Sequence, residues 1–247
     1  MTTKEMQKTG SALPAFAKSE TARGSEGVGA DDLQIPRIGI VQDLSPERKK
    51  NQPEYIDGAD SGMMYNSVTR QLYAAALLVI PVIFRKEYLL WKPRSEGGGF
   101  RGMFKDEQSA IQAQRQLPEA TDLVDTAQQF CLVSADQGKS WSEAVVSMAK
   151  SNAAVSRGWN SDIRMRCADA EGNYMCDRFA TMYTLEVLEK TNDKGTFFVF
   201  KTQFAGYVQD EAVYKRAETV YDAVKAGVKD VSRDAPTDAP AADMEDF

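Results

Sequence analysis

Between Arg85 and Lys105 the chain sets six bases, Arg85, Lys86, Lys92, Arg94, Arg101 and Lys105, against two acids, Glu87 and Glu96. Tyr88, Trp91, Phe100 and Phe104 lie among them. Lysine and arginine neutralise a phosphate backbone while aromatic rings stack on bases, and a sequence-tolerant single-strand groove requires both. Each stacked base contributes about 1–3 kcal/mol in such a groove. The run Gly97-Gly98-Gly99 would let this hairpin close over a strand. The competing reading puts the rings in a core and the charges on a solvated face. A second group is Lys150, Arg157, Trp159, Arg164 and Arg166. On a helix Arg157 and Arg164 share a face, with Ser161 between them, and Trp159 either stacks on a base or anchors the core.

The third candidate is the acidic tip, where Asp243, Glu245 and Asp246 stand beside Phe247 and its terminal carboxylate. This is a tethered ligand for a basic, partly apolar pocket: the ring fills the apolar part and the carboxylates pair with Lys or Arg. The same segment can fold back on a cationic groove and compete with phosphate at high effective concentration. The plainer alternative is a solubilising tail. Net charge is −6, yet Asp234 to Phe247 holds five acids and no base, so residues 1–233 sum to −1. The global sign therefore says little about the folded body.

Other chemistries are poorly supplied. There is no histidine, which removes Ser-His-Asp and Cys-His catalysis and imidazole metal ligands. Cys131, Cys167 and Cys176 are odd in number and lack CxxC spacing, so a structural zinc site is not expected. Glu186, Glu189 and Lys190 could be grouped as a magnesium nuclease site, but strand alternation places 186 and 189 on opposite faces. No Walker A, strand-to-helix GxGxxG or nucleophile elbow is found. The expectation is a binding protein, not an enzyme, with no cofactor. No apolar run approaches the ~20 residues a membrane helix needs, and a cytoplasmic protein is expected.

The elements that must position these residues read mainly as strands. Residues 1 to 30 suggest a flexible arm, 31–231 a single domain, and 232–247 a disordered acidic tail. An edge strand is expected from Asp31 to Val41, with Pro36 barring a central position. Leu72 to Trp91 predicts two strands or one long bent strand, broken at Pro81 or Arg85-Lys86. Asp106 to Leu117 predicts a helix, and 127–148 a hairpin turning at 136–139. A helix over 151–166, a hairpin over 181–207 turning at 192–195, and a helix over 210–229 follow. Val213, Ala217, Val220, Val224 and Val228 form the stripe of that last helix. The sum is a mainly β fold with inserted and C-terminal helices, an OB-fold-like antiparallel barrel, or alternatively an α+β mixed sheet.

The tail resembles those of bacterial and T7-type phage single-stranded-DNA-binding proteins, which end in acidic residues with a last or near-last phenylalanine. It departs from them in carrying fewer acids and lacking an Ile-Pro-Phe ending. Asp32-Leu33-Gln34-Ile35-Pro36-Arg37-Ile38, Gln42 to Glu47, Val82 to Arg94 and Ser156-Arg157-Gly158-Trp159-Asn160 are similar to segments of phage-encoded proteins proposed to bind single-stranded DNA. The resemblance implies sequence-independent single-strand binding in phage replication or recombination. It implies a tail that recruits a DNA polymerase, helicase or primase; whether the chain forms a homo-oligomer is left open. A strand-annealing recombination protein and a protein-binding structural or regulatory phage protein are the alternatives.

Overall fold

A computed structural model describes residues 23–29, 34–193 and 195–227. Residues 23–29 belong to a unit spanning Met1–Leu33, where the Gly24 N–H donates to Glu26 Oε2 at 2.7 Å. The second unit spans Gln34–Phe247.

Its frame is a six-stranded antiparallel sheet. The strands are β4 (Leu77–Trp91), β5 (Phe100–Phe104), β6 (Asp122–Ser134), β7 (Ser142–Ala149), β8 (Thr181–Asn192) and β9 (Gly195–Tyr207), in the order β7-β6-β4-β8-β9. A smaller sheet runs β1 (Ile38–Ile40), β2 (Met64–Asn66), β3 (Leu72–Tyr73). The helices are α1 (Glu107–Gln116), α2 (Ala153–Arg166) and α3 (Glu211–Lys225). The fold is therefore mainly β with inserted and C-terminal helices.

β4 is the axis. It pairs with β6 from Leu78 to Trp91, whereas its other side meets β8 only over Leu77–Val79 and β5 only over Tyr88–Trp91. It remains one strand through Pro81, which has no N–H to give the ladder; the pairing slips between Pro81 and Ile83 to accommodate it. Both faces are covered, which explains the nearly continuous apolar run. On one face Val79, Cys131, Val133, Val146 and Tyr183 pack with Trp159 and Ile163 of α2 and with Ile38 of β1. On the other, Ile80, Val82, Phe130 and Leu132 meet Phe179 and Ala217, Val220 and Val224 of α3. Burying each such aliphatic side chain contributes about 1.5–3 kcal/mol. Asp210 starts α3 by accepting the Ala212 N–H at 2.8 Å, and Val228 lies outside the described residues.

The sheet does not close into a barrel, in agreement with the α+β alternative. Its two edge strands are bridged instead by the segment around β1. The Pro36 carbonyl accepts the Val145 N–H of β7 at 2.8 Å. Six residues on, the Gln42 amide clasps β9, donating to the Phe198 carbonyl at 2.7 Å and accepting its N–H at 2.9 Å. Asn152 Oδ1 accepts the next outward N–H, that of Phe200, at 2.8 Å. Side chains thus cap edge groups that would otherwise invite another strand. Gly39 lies opposite Tyr65, whose ring would stand 2.5 Å from a Cβ there, so this position has no room for a side chain.

Candidate nucleic-acid interface

Three cations of the β4–β5 hairpin, Lys86, Lys92 and Arg101, stand against acids. Lys86 Nζ lies 3.0 Å from Asp125 and 5.1 Å from the Tyr88 ring centre, and its pKa is raised by Asp125 first and Tyr88 second. Glu119 holds both Lys92, at 3.4 Å, and Arg101. Its carboxyl falls below the usual carboxylate range, chiefly through Arg101 and then Lys92. Arg85 lies 5.2 Å from the Phe130 ring centre and donates to the Val224 carbonyl, so it completes the C-terminal turn of α3, where a cation is favoured. Lys105 is exposed, and Phe100 is half-buried against Trp91 at 5.2 Å between ring centres.

Two expected stacking rings are core side chains instead. Trp91 is 2% exposed, packed with Leu89 and Val124 because the end of β4 is covered on that face. Trp159 is 1% exposed and meets Tyr183 edge-on at 5.7 Å, since it lies on the sheet-facing side of α2. The Arg94 side chain and the tail residues Asp243, Glu245, Asp246 and Phe247 lie outside what the structure describes.

The α2 group divides by helix geometry. At about 100° per residue, Asn160 lies about 40° round from the buried Ser156, Arg164 about 80° and Arg157 about 100° on the same side. Arg166 falls about 80° the other way. There it pairs with Asp162 at 2.8 Å and covers Phe204 at 3.6 Å from the ring centre. Arg157 and Arg164 are exposed, and among the described residues neither meets a carboxylate. Arg164 lies 5.7 Å from the ring centre of Tyr174, which is 66% exposed. Tyr174 stands on a small hairpin held by its bridge to Ala168 and by the Met175 N–H, which donates to the Cys167 carbonyl at 2.7 Å. Lys150 is exposed in the 3-10 turn Lys150–Asn152 before α2.

Between α2 and the sheet lies a polar cluster. Gln129, fully buried on β6, donates to Ser156 Oγ at 3.0 Å and Asn160 Oδ1 at 3.2 Å. Arg178, in the 3-10 turn Arg178–Ala180, donates through Nη2 to Gln129 Oε1 and, at 2.9 Å, to Asn160 Oδ1. Burial pushes the Arg178 pKa down. Its guanidinium carbon stands 6.0 Å from the ring centre of Phe84, which is 37% exposed and pairs with Gln129 across the sheet. Beyond Phe84 the same sheet face continues through Lys86 and Tyr88. The two sequence groups therefore meet at Arg178, and the surface runs Tyr88, Lys86, Phe84, Arg178, Asn160, then Arg157, Arg164 and Tyr174. Phe84, Tyr174 and Arg178 were not singled out from the sequence. Arg178 lies in a turn with no periodicity, and Phe84 reads as one more apolar residue of a core strand.

The family of Pam3 phage gp34-like proteins matches residues 6–230. The chain belongs to this phage protein family. Membership covers the whole second unit up to the end of α3, so α2, the Tyr174 hairpin and Arg178 all fall within the family's shared region. No curated protein and no solved structure matches the chain. Among the described residues no three His, Cys, Asp or Glu side chains stand together as a metal site, and no helix is long and apolar enough to cross a membrane.

Proposed function

We propose that this phage protein binds single-stranded DNA without sequence preference during phage DNA replication or recombination, as a non-enzymatic coat for transient single strands. The observation that carries the reading is the α2 flank: Arg157 and Arg164 exposed on one side, with an exposed Tyr174 beside Arg164. Unmatched cations bordering an open ring are the elements of a sequence-tolerant track, and Phe84 extends the ring surface on the sheet side. In this reading the tip Asp243, Glu245, Asp246 and Phe247 recruits a DNA polymerase, helicase or primase and competes with DNA for the same track.

Because Trp91 and Trp159 are core rings, intrinsic fluorescence is a poor reporter; anisotropy of a labelled oligothymidine is the proper measurement. Affinity is expected to fall linearly in log–log form with salt and to vary little with base identity. Deleting residues 234–247 is expected to tighten binding and to abolish polymerase stimulation. Absence of salt-sensitive binding in both the full chain and the deletion would overturn the reading. A second reading, a protein-binding regulatory phage protein, is favoured by Met165 on α2 and Met175 on the Tyr174 hairpin, both well exposed, since methionine suits adaptable protein contacts. The same titration separates the two.

A further inference from the structure

Arg178 presents an imbalance that its neighbours leave unanswered. A guanidinium stays charged at any physiological pH, and burying it without an anion is costly. Its titratable neighbours are Cys131, Cys167, Tyr174 and Tyr183. Burial pushes both Cys131 and Cys167 up to about 12, Cys176 adding to the effect on Cys167, and burial likewise raises Tyr183. Neither of these thiols, nor the Tyr183 phenol, is an anion near neutrality. Two acids of the surrounding elements are otherwise occupied: Asp177, the preceding residue, accepts the Tyr214 hydroxyl at 2.8 Å, and Asp162 of α2 takes Arg166 and the Tyr183 hydroxyl, each at 2.8 Å.

The hydrogen-bond inventory is equally one-sided. Asn160 spends its carbonyl oxygen on Gln129 and Arg178, and Gln129 spends its own on Arg178. The cluster's oxygens are thus turned inward, leaving the Asn160 NH2 and the Arg178 Nε and Nη1 hydrogens as donors. Among the described residues the buried Nε has no partner at all. Arg178 nonetheless keeps partial solvent access, and the exposed Phe84 ring lies against it. A site that offers only donors around an uncompensated cation selects an anion with several acceptor oxygens.

We propose that Arg178 and Asn160 form a phosphate subsite at the junction of α2 and the sheet, the point at which a single strand's backbone is anchored between Phe84 and the Arg157–Arg164 flank. The naming of a nucleic-acid phosphate rests on the single-strand reading; the anion site itself does not.

The test uses the full chain and two probes, inorganic phosphate and a labelled oligothymidine. Phosphate is expected to raise the Tm above that in chloride at equal ionic strength, and Arg178→Gln is expected to erase this difference. Arg178→Gln also breaks two hydrogen bonds, so Asn160→Asp is the decisive variant. It places a carboxylate where the Asn160 oxygen now accepts from Gln129 and Arg178, supplying the missing counter-ion from within. Asn160→Asp should fold by circular dichroism, show a higher Tm than wild type, lose the phosphate-specific rise, and bind oligothymidine about tenfold more weakly. Loss of the phosphate effect in a chain that never binds oligothymidine would uphold the anion site and sink the nucleic-acid reading. Oligothymidine affinity equal in wild type and Asn160→Asp would sink the subsite and leave that reading standing. If wild type shows no phosphate-specific rise, the subsite falls even if Asn160→Asp weakens DNA binding, because added negative charge alone does that.

Discussion

Along the β4–β5 hairpin, Lys86 meets Asp125, Lys92 and Arg101 share Glu119, and Arg85 caps α3. Along α2, Arg157 and Arg164 face solvent with an open tyrosine beside one of them and no carboxylate within reach among the described residues. The residue types are alike, but among the described residues Lys86, Lys92 and Arg101 of the hairpin are balanced by acids, whereas Arg157 and Arg164 are not. A pairing at the surface leaves little field for a ligand, since each acid cancels most of what its cation projects. Richness in bases and rings is therefore a weaker guide to a nucleic-acid surface than the acids that fold against them.

The largest effect expected from this difference is in charge reversal. Arg157→Glu with Arg164→Glu should weaken oligothymidine binding about a hundredfold, taking roughly tenfold, or 1.4 kcal/mol, per reversed contact. Lys92→Glu with Arg101→Glu should change it less than about threefold, on the same scale. Anisotropy titrations at fixed salt read both. Equal losses in the two double variants would break the comparison.

The elements were largely legible because their cause is local. Alternation marks β8, aromatic residues after the turn at 192–195 mark β9, the Asp210 cap and valine stripe mark α3, and Asp106 caps α1 by accepting the Ser109 N–H at 2.8 Å. Of two strands or one long bent strand, the structure has the second: Pro81 marks a register slip, because β4 carries one extra residue, Val82, and resumes pairing with β6 at Ile83. What was not legible depends on distant residues. Glu119 lies beyond α1 from the cations it holds, Gln42 reaches an edge strand 156 residues away, and the short β2 has too few residues for a pattern. Trp91 and Trp159 looked equally fit for stacking and for packing; only the cover supplied by neighbouring elements decides between them.

Tyr174 sharpens the comparison at a smaller scale, because it is the exposed ring that accompanies an unpaired arginine. Tyr174→Ala should cost about tenfold in oligothymidine affinity, within the 1–3 kcal/mol of one stacked base. Tyr174→Phe should stay within about twofold of wild type, since stacking needs the ring and not the hydroxyl. Equal losses in both would assign the tyrosine to hydrogen bonding and not to stacking.

The smallest effect belongs to Glu119, and it tests the hairpin from the other side. Glu119→Gln removes the acid shared by Lys92 and Arg101 and so releases two cations into solvent. Oligothymidine affinity should rise no more than about threefold, on the scale of roughly tenfold per 1.4 kcal/mol, and with a steeper salt dependence. The same substitution has a defined pH signature. The Glu119 carboxyl is held below its ordinary value, so its ion pairs stabilise the fold at pH above the unfolded value of about 4.3. That contribution is lost as pH falls through the lower folded value, when the carboxyl takes up a proton and releases its partners. Wild type should therefore melt slightly above Glu119→Gln from neutral pH down to about 5, and the gap should close in more acid solution. A gap that persists unchanged below that range would show that Glu119 acts through packing. The hairpin's cations would then be less neutralised than their geometry indicates, and the contrast with α2 would narrow.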